Sequence, residues 1–120
     1  MSNLDKLAGE TITDIEGLNL GSETVKIHTA NFILEFFHWQ GCCERVSIED
    51  FELDNNLIGA TVISAEEVTS DASVDVSESG TWTFYKIETS KGGLWMRWLG
   101  ESNGYYSESV DIEIHRRGGE

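Results

Sequence analysis

From Gly80 to Ile114 the chain reads GTWTFYKIETS, KGG, LWMRWLGES, NG, YYSESVDIEI. Three runs of aromatic and β-branched residues are separated by glycine turns at Lys91-Gly92-Gly93 and Ser102-Asn103-Gly104. The chain contains no proline, so its reversals fall to glycine and Asn/Asp turns. Strand-like runs this short, joined by turns this tight, are hairpin signals, and the segment is expected to form a three-stranded antiparallel meander. Three of the four Trp residues (Trp82, Trp95, Trp98) and all three Tyr residues (Tyr85, Tyr105, Tyr106) lie inside it.

Side chains alternate across a strand. In the middle run Leu94, Met96 and Trp98 share one face, and Trp95, Arg97 and Leu99 share the other. Both faces are largely apolar, so this strand is expected to be covered on both sides, with Arg97 paired to a strand carboxylate. Trp82 and Phe84 share a face of the first run, opposite Tyr85 and Ile87. In the third run Tyr106, Val110, Ile112 and Ile114 alternate with Ser107, Ser109, Asp111 and Glu113, the pattern of a half-buried strand.

The rest of the chain reads the same way. Thr11–Ile15 and Thr24–His28 are short strands, and Phe32–Trp39 carries aromatics on both faces. Val46, Ile48 and Phe51 define a further strand whose apolar phase slips, which places a bulge near Glu49-Asp50. Asp54 to Gly59 is a turn, with Asp54 as the cap of one helical turn. Thr61 to Ser70 is a strand with an acidic exposed side, and Asp71 to Ser79 is a mobile acidic loop. The sum is a mostly β, single compact domain over residues 1–120. It has seven or eight antiparallel strands, little helix, and frayed ends at 1–10 and 115–120. Its central strands are Phe32–Trp39, Trp82–Ile87 and Leu94–Leu99. A chain of 120 residues can bury enough surface for a core without staples.

Twenty-two acids against eight bases give a formal net charge of −14. Such a chain repels nucleic acid and anionic membrane, and a basic protein surface attracts it. No apolar run approaches membrane-spanning length, and MSNLDKLAGE is not a secretory leader, so the expected address is the cytosol. Cys42 and Cys43 are adjacent and are read as free thiols. His38, Cys42, Cys43 and Glu44 form the one cluster with metal-ligand side chains, but a structural zinc site pairs such motifs in two places. The expectation is no metal, no cofactor and no catalysis. Glu101 and Glu108 flank a turn as if paired for acid–base work, yet no apolar pocket accompanies them, and they are read as acceptors for turn donors.

Several segments carry a likeness. They are His38…Cys42-Cys43-Glu44…Val46…Ile48-Glu49-Asp50, Leu57-Ile58-Gly59…Ser64-Ala65-Glu66-Glu67, Trp82-Thr83-Phe84-Tyr85 and Arg97-Trp98…Gly100-Glu101-Ser102-Asn103-Gly104-Tyr105-Tyr106-Ser107. From about Ile12 to Ile114 the chain resembles a family of small acidic phage-encoded proteins of unknown function. In size and character it is also similar to phage anti-defence proteins that inhibit a bacterial sirtuin-domain NADase. That enzyme senses phage tail tube protein and kills the cell by depleting NAD. The resemblance implies a stoichiometric inhibitor, monomeric when free and working in the host cytoplasm. Its partner would be that bacterial defence protein, not nucleic acid or membrane. Rim acids expected to steer binding are Glu49, Asp50, Glu52, Asp54, Glu66 and Glu67, with Trp39 and Tyr105 as aromatic anchors. Two other classes stay open: an acidic DNA-mimic inhibitor, and a protein that sequesters a nucleotide signal.

Overall fold

The computed structural model describes residues 3–39, 41, 44–54, 56–71, 79–102 and 108–116. A 3-10 helix, Asn3–Leu7, precedes eight strands: β1 Ile12–Glu16, β2 Val25–Thr29, β3 Phe32–Phe37, β4 Arg45–Leu53, β5 Val62–Asp71, β6 Ser79–Thr89, β7 Gly92–Ser102 and β8 Asp111–Arg116. They form two four-stranded antiparallel sheets, ordered β1-β2-β3-β8 and β4-β7-β6-β5. The mostly β, antiparallel architecture expected from the sequence is the one observed. The three strands expected to be central, now β3, β6 and β7, are each interior to their sheet.

The core forms where alternate residues of the two sheets meet. Val25, Ile27, Leu34 and Phe36 supply one side; Ile48, Tyr85, Ile87, Leu94, Met96 and Trp98 supply the other, all almost fully buried. Phe36 and Tyr85 join the layers edge to face, with ring centroids 4.9 Å apart. Each such side chain contributes about 1.5–3 kcal/mol of burial. The 3-10 helix buries Leu4 and Leu7, so residues 3–10 of the segment expected to fray are docked. Gly9 N–H donates to the Val62 carbonyl, and Val62 N–H donates to the Glu10 carbonyl. At the other end β8 continues through His115 to Arg116, residues also expected to fray.

The expected meander is corrected at its third strand. β6 and β7 pair over their full length, but β8 crosses to the other sheet and pairs with β3, setting Ile112 opposite Phe36 and Ile114 opposite Leu34. Gly100 permits the crossing, because a Cβ there would overlap the Glu108 carbonyl oxygen. β4 takes the side of β7 that a meander would use, and after the crossing Val110, Ile112 and Ile114 pack into the core. Of the expected Asp71–Ser79 loop, Asp71 ends β5 and Ser79 starts β6, and Ser102 of the expected turn ends β7; Asn103, Gly104, Tyr105, Tyr106, the Cys42-Cys43 pair and residues 72–78 lie outside the described residues.

The β4 register shifts between Ile48 and Asp50, where the slipped apolar phase places it. The bulge returns Phe51 to the core face and turns Asp50 and Glu52 outward. Asp54 caps no helix; its carboxylate accepts the Gly93 N–H at 3.0 Å. Among the described residues, no helix is long and apolar enough to cross a membrane.

Candidate protein-binding face

The expectation that β7 is covered on both faces is also corrected. Leu94, Met96 and Trp98 are buried, but Trp95 is only half-buried and the Arg97 side chain is 42 % exposed. An antiparallel sheet packs one face and can leave the other wet. Trp95 and Arg97 tolerate that position because the indole N–H and the guanidinium reach polar groups while their apolar parts pack on the sheet.

Register orders this open face into three cross-strand rows. Along β4, β7, β6 and β5 they read Ser47-Leu99-Trp82-Ser70, Asp50-Arg97-Phe84-Val68 and Glu52-Trp95-Lys86-Glu66. The centre is aromatic and cationic, and acids stand at the margins. Phe84 and Trp95 stack with centroids 5.5 Å apart and planes 16° from parallel. The Arg97 guanidinium lies 4.7 Å from the Trp82 ring centroid and 4.0 Å from the Asp50 carboxylate. Trp95 donates its indole N–H to Glu52 at 2.9 Å. Lys86 sits 3.5 Å from Glu88, the next outward residue on β6. These contacts fix the aromatic side chains before any partner arrives, so little rotamer entropy is left to lose on binding.

A hollow of ≈ 420 Å³ opens on this face, lined by Val68, Ser70, Trp82, Phe84 and Arg97. Val68 is 58 % exposed. The buried Nε of Arg97 has no hydrogen-bond partner among the described residues. An aromatic patch with a carboxylate rim suits a protein partner: the rings anchor, and the acids select for basic groups around them.

Of the residues proposed from the sequence, Asp50, Glu52 and Glu66 are brought together around this patch. Glu49 lies at the bulge and lines a separate hollow of ≈ 380 Å³ with Leu20, Arg45 and Glu101. Glu67 faces the opposite side of β5 and accepts the Tyr85 hydroxyl at 2.6 Å. Burial first, then that hydrogen bond and the Glu67 and Asp111 charges, push the Tyr85 phenol well above the ordinary tyrosine value. Trp39 is 67 % exposed, but it follows β3 on the other sheet, edge to face with Phe37 at 5.1 Å. Tyr105 lies outside the described residues. The aromatics beside the acids are Trp82, Phe84 and Trp95, of which the sequence places Trp95 under cover.

The other candidate clusters are engaged structurally. His38 donates from Nδ1 to the Ser109 carbonyl at 2.7 Å, and its Nε2 lies 2.8 Å from Glu44. Both side chains are buried, tying the end of β3 to the start of β4 and to the approach to β8. Glu101 and Glu108 do not form a catalytic pair. Glu101 is exposed, while Glu108 accepts the hydroxyls of Ser102 and Thr81. Partial burial raises the Glu108 carboxyl, and hydrogen bonds from Ser102, Ser79 and Thr81 outweigh it, holding the group below the ordinary range. Glu10 behaves alike: burial raises it, and bonds from Asn31 and Thr29 bring it below that range. Asp14-Glu16-His28 and Glu35-Glu113-His115 each gather ligand-type atoms within 4.8 Å of one another on the outer face of the first sheet. In both, the histidine is already hydrogen-bonded to a carboxylate, at 2.9 Å to Glu16 and 3.1 Å to Glu35.

Fold and face together define a small two-sheet β-domain with an open aromatic sheet face suited to binding. The chain belongs to the family described as a domain of unknown function (DUF7448), which it matches over residues 5–112. No curated protein and no solved structure matches it.

Proposed function

We propose that this is a phage-encoded anti-defence protein, similar to the DSR anti-defence protein, that binds a bacterial sirtuin-domain NADase and holds it inactive. In this reading it occupies the sensor region that would otherwise receive phage tail tube protein. The observation that carries the binding part is the open face of the second sheet. There Trp82, Phe84 and Trp95 stand ordered between Asp50 and Glu52 on one margin and Glu66 on the other. The identity of the target rests on the sequence resemblance. A net charge of −14 favours rapid capture by a basic groove, and steering of this kind speeds association by ~10–10³-fold at low salt. Speed matters to an inhibitor that must act before its competitor accumulates.

The test is NAD consumption by the defence enzyme with its tail tube activator while this protein is titrated in. Inhibition that saturates at a stoichiometric ratio, with a complex on gel filtration, is expected. NAD falling at full rate under molar excess, with no complex formed, overturns the proposal. The hollow beside Trp82 and Phe84 favours one second reading, sequestration of a nucleotide signal, with the base on the rings and Arg97 toward phosphate. Isothermal titration with cyclic nucleotides and ADP-ribose distinguishes it: heat and one-to-one binding support sequestration, and their absence removes it.

A further inference from the structure

A strand at the edge of a sheet exposes a row of unused N–H and C=O groups, and natural proteins blunt such edges. Among the described residues, two of the four edges are short and a third is closed near its middle. β1 and β8 have five and six residues. β4 is closed near its middle, where Ile48 exchanges backbone hydrogen bonds with the 21–22 segment, receiving from Gly21 N–H and donating to the Ser22 carbonyl, both at 2.8 Å. β5 differs. It has ten residues, is the terminal strand of its sheet, and from Glu66 to Asp71 every residue is exposed. The 3-10 helix packs beside β5, and backbone bonds to Gly9 and Glu10 occupy Val62 at its start; beyond the bulge between Val62 and Ser64, the run from Glu66 to Ser70 is the exposed part of this edge. In antiparallel pairing alternate amides face away from the partner strand. Those between Ser64 and Asp71 face away from β6.

We infer that the β5 edge is a strand-addition site that accepts an extended, Lys- or Arg-bearing segment of a protein partner. Charge selects this occupant. Glu66, Glu67 and Asp71 line the strand in a chain of net charge −14. Two copies paired antiparallel through β5 would set these carboxylates against each other, which is destabilising. A basic segment meets opposite charge at the same positions. Its backbone continues the β4-β7-β6-β5 ladder, and every second side chain lands on the open face next to Val68 and Ser70, at the mouth of the hollow bounded by Trp82 and Phe84. The inference rests on the protein-binding reading above and adds the geometry and chemistry of the partner: backbone pairing supplies affinity and alternate side chains supply specificity.

The probe is an acetylated octapeptide of alternating Lys and Val, with a Glu–Val octapeptide as control, read by amide hydrogen exchange on the whole chain. At ten times the Kd of the Lys–Val peptide, the outward amides between residues 64 and 71 are expected to exchange about tenfold more slowly. The Glu–Val peptide is expected to change nothing. Of Val68→Pro and Thr69→Pro, the variant whose lost N–H faces outward is expected to keep its circular dichroism and lose peptide binding. Glu66→Lys, which leaves the ladder intact, is expected to weaken binding by about tenfold. Lys–Val binding without protection of β5 overturns the inference. So does unchanged affinity in Glu66→Lys, or dimerisation through β5 on sedimentation without peptide. The parent reading fails separately: a captured peptide with no inhibition of the NADase removes the inhibitor and leaves the edge site. Inhibition of the NADase with β5 amides unprotected in the complex removes the edge site and leaves the inhibitor.

Discussion

Gly100→Ala tests the crossing that distinguishes this fold from a simple meander. The new Cβ would overlap the Glu108 carbonyl oxygen and lie 2.9 Å from the Glu108 Cβ and 3.0 Å from its carbonyl carbon. The obstacle is backbone, so no side chain can swing aside. The 108–110 segment is also held in place. Glu108 accepts hydroxyls from Ser102 and Thr81, Ser109 accepts from His38, and Val110 is buried. Overpacking of this kind costs about 1–3 kcal/mol. Loosening one or two hydroxyl bonds adds about 1 kcal/mol. Lower entropy of the unfolded alanine chain returns about 0.4–1 kcal/mol. The net expectation is a loss of about 2 kcal/mol, or a melting temperature lower by about 8 °C at ~4 °C per kcal/mol for a domain of this size. Gly93→Ala is the internal control, since its Cβ would meet only ordinary contacts at 3.4–3.6 Å and should change stability by less than about 0.5 kcal/mol. Urea unfolding followed by tryptophan fluorescence measures both. A Gly100→Ala variant as stable as wild type, or a Gly93→Ala variant that is the worse of the two, refutes the crossing geometry.

Three further outcomes follow from burial and titration. Trp98 is fully buried and its indole N–H has no hydrogen-bond partner among the described residues. Trp98→Ala should cost about 3–5 kcal/mol and Trp98→Phe distinctly less, because Phe also removes an unpaired donor; denaturant midpoints check the order. The Tyr85 phenol is raised above the ordinary value of about 10, so its stabilisation is complete below that pH and is lost as pH rises above it. Tyr85→Phe loses the 2.6 Å bond to Glu67 and should be less stable than wild type at neutral pH, with the gap narrowing above pH ~10 in a melting series. The Glu108 carboxyl is lowered, so its contribution is present above the ordinary carboxylate value of about 4.3 and lost as pH falls through the folded-state value. Glu108→Gln should flatten the acid limb of the stability curve, read by the same melts between pH ~5 and ~3.

Much of the architecture is legible in the sequence because period-two alternation is a local signal. The phase of Val25-Ile27, Leu34-Phe36 and Leu94-Met96-Trp98 marks the core face strand by strand. The slip between Ile48 and Phe51 marks the β4 bulge. What alternation cannot fix is which sheet a strand joins. Ile112 and Ile114 have the right phase to pair with β7 or β3; β4 fills the remaining side of β7, and β8 pairs with β3 beside Leu34 and Phe36. The open face of the second sheet is hidden from the sequence for a related reason. Trp95 and Leu99 look like core residues by hydropathy alone, but only Leu99 is buried. The signal for the rest lay across the sheet, in the acids of β4 and β5 that share rows with these rings, and it becomes visible only with the register.

The central claim is that the open face of the second sheet, centred on Trp82 and Trp95, holds the partner. The direct measurement is binding kinetics of the sirtuin-domain NADase with wild type, the Trp82→Ala/Trp95→Ala variant and the Asp50→Lys/Glu52→Lys variant, each first shown to be folded by circular dichroism. Loss of aromatic anchors acts mainly on dissociation, and reversal of rim charges acts mainly on association. The account predicts dissociation faster by about 30-fold or more for the Trp pair, at ~1 kcal/mol or more per anchor. It predicts slower association, with a weaker salt dependence, for the charge pair. Folded variants that bind with wild-type rates and inhibit NAD consumption at the wild-type ratio would contradict it.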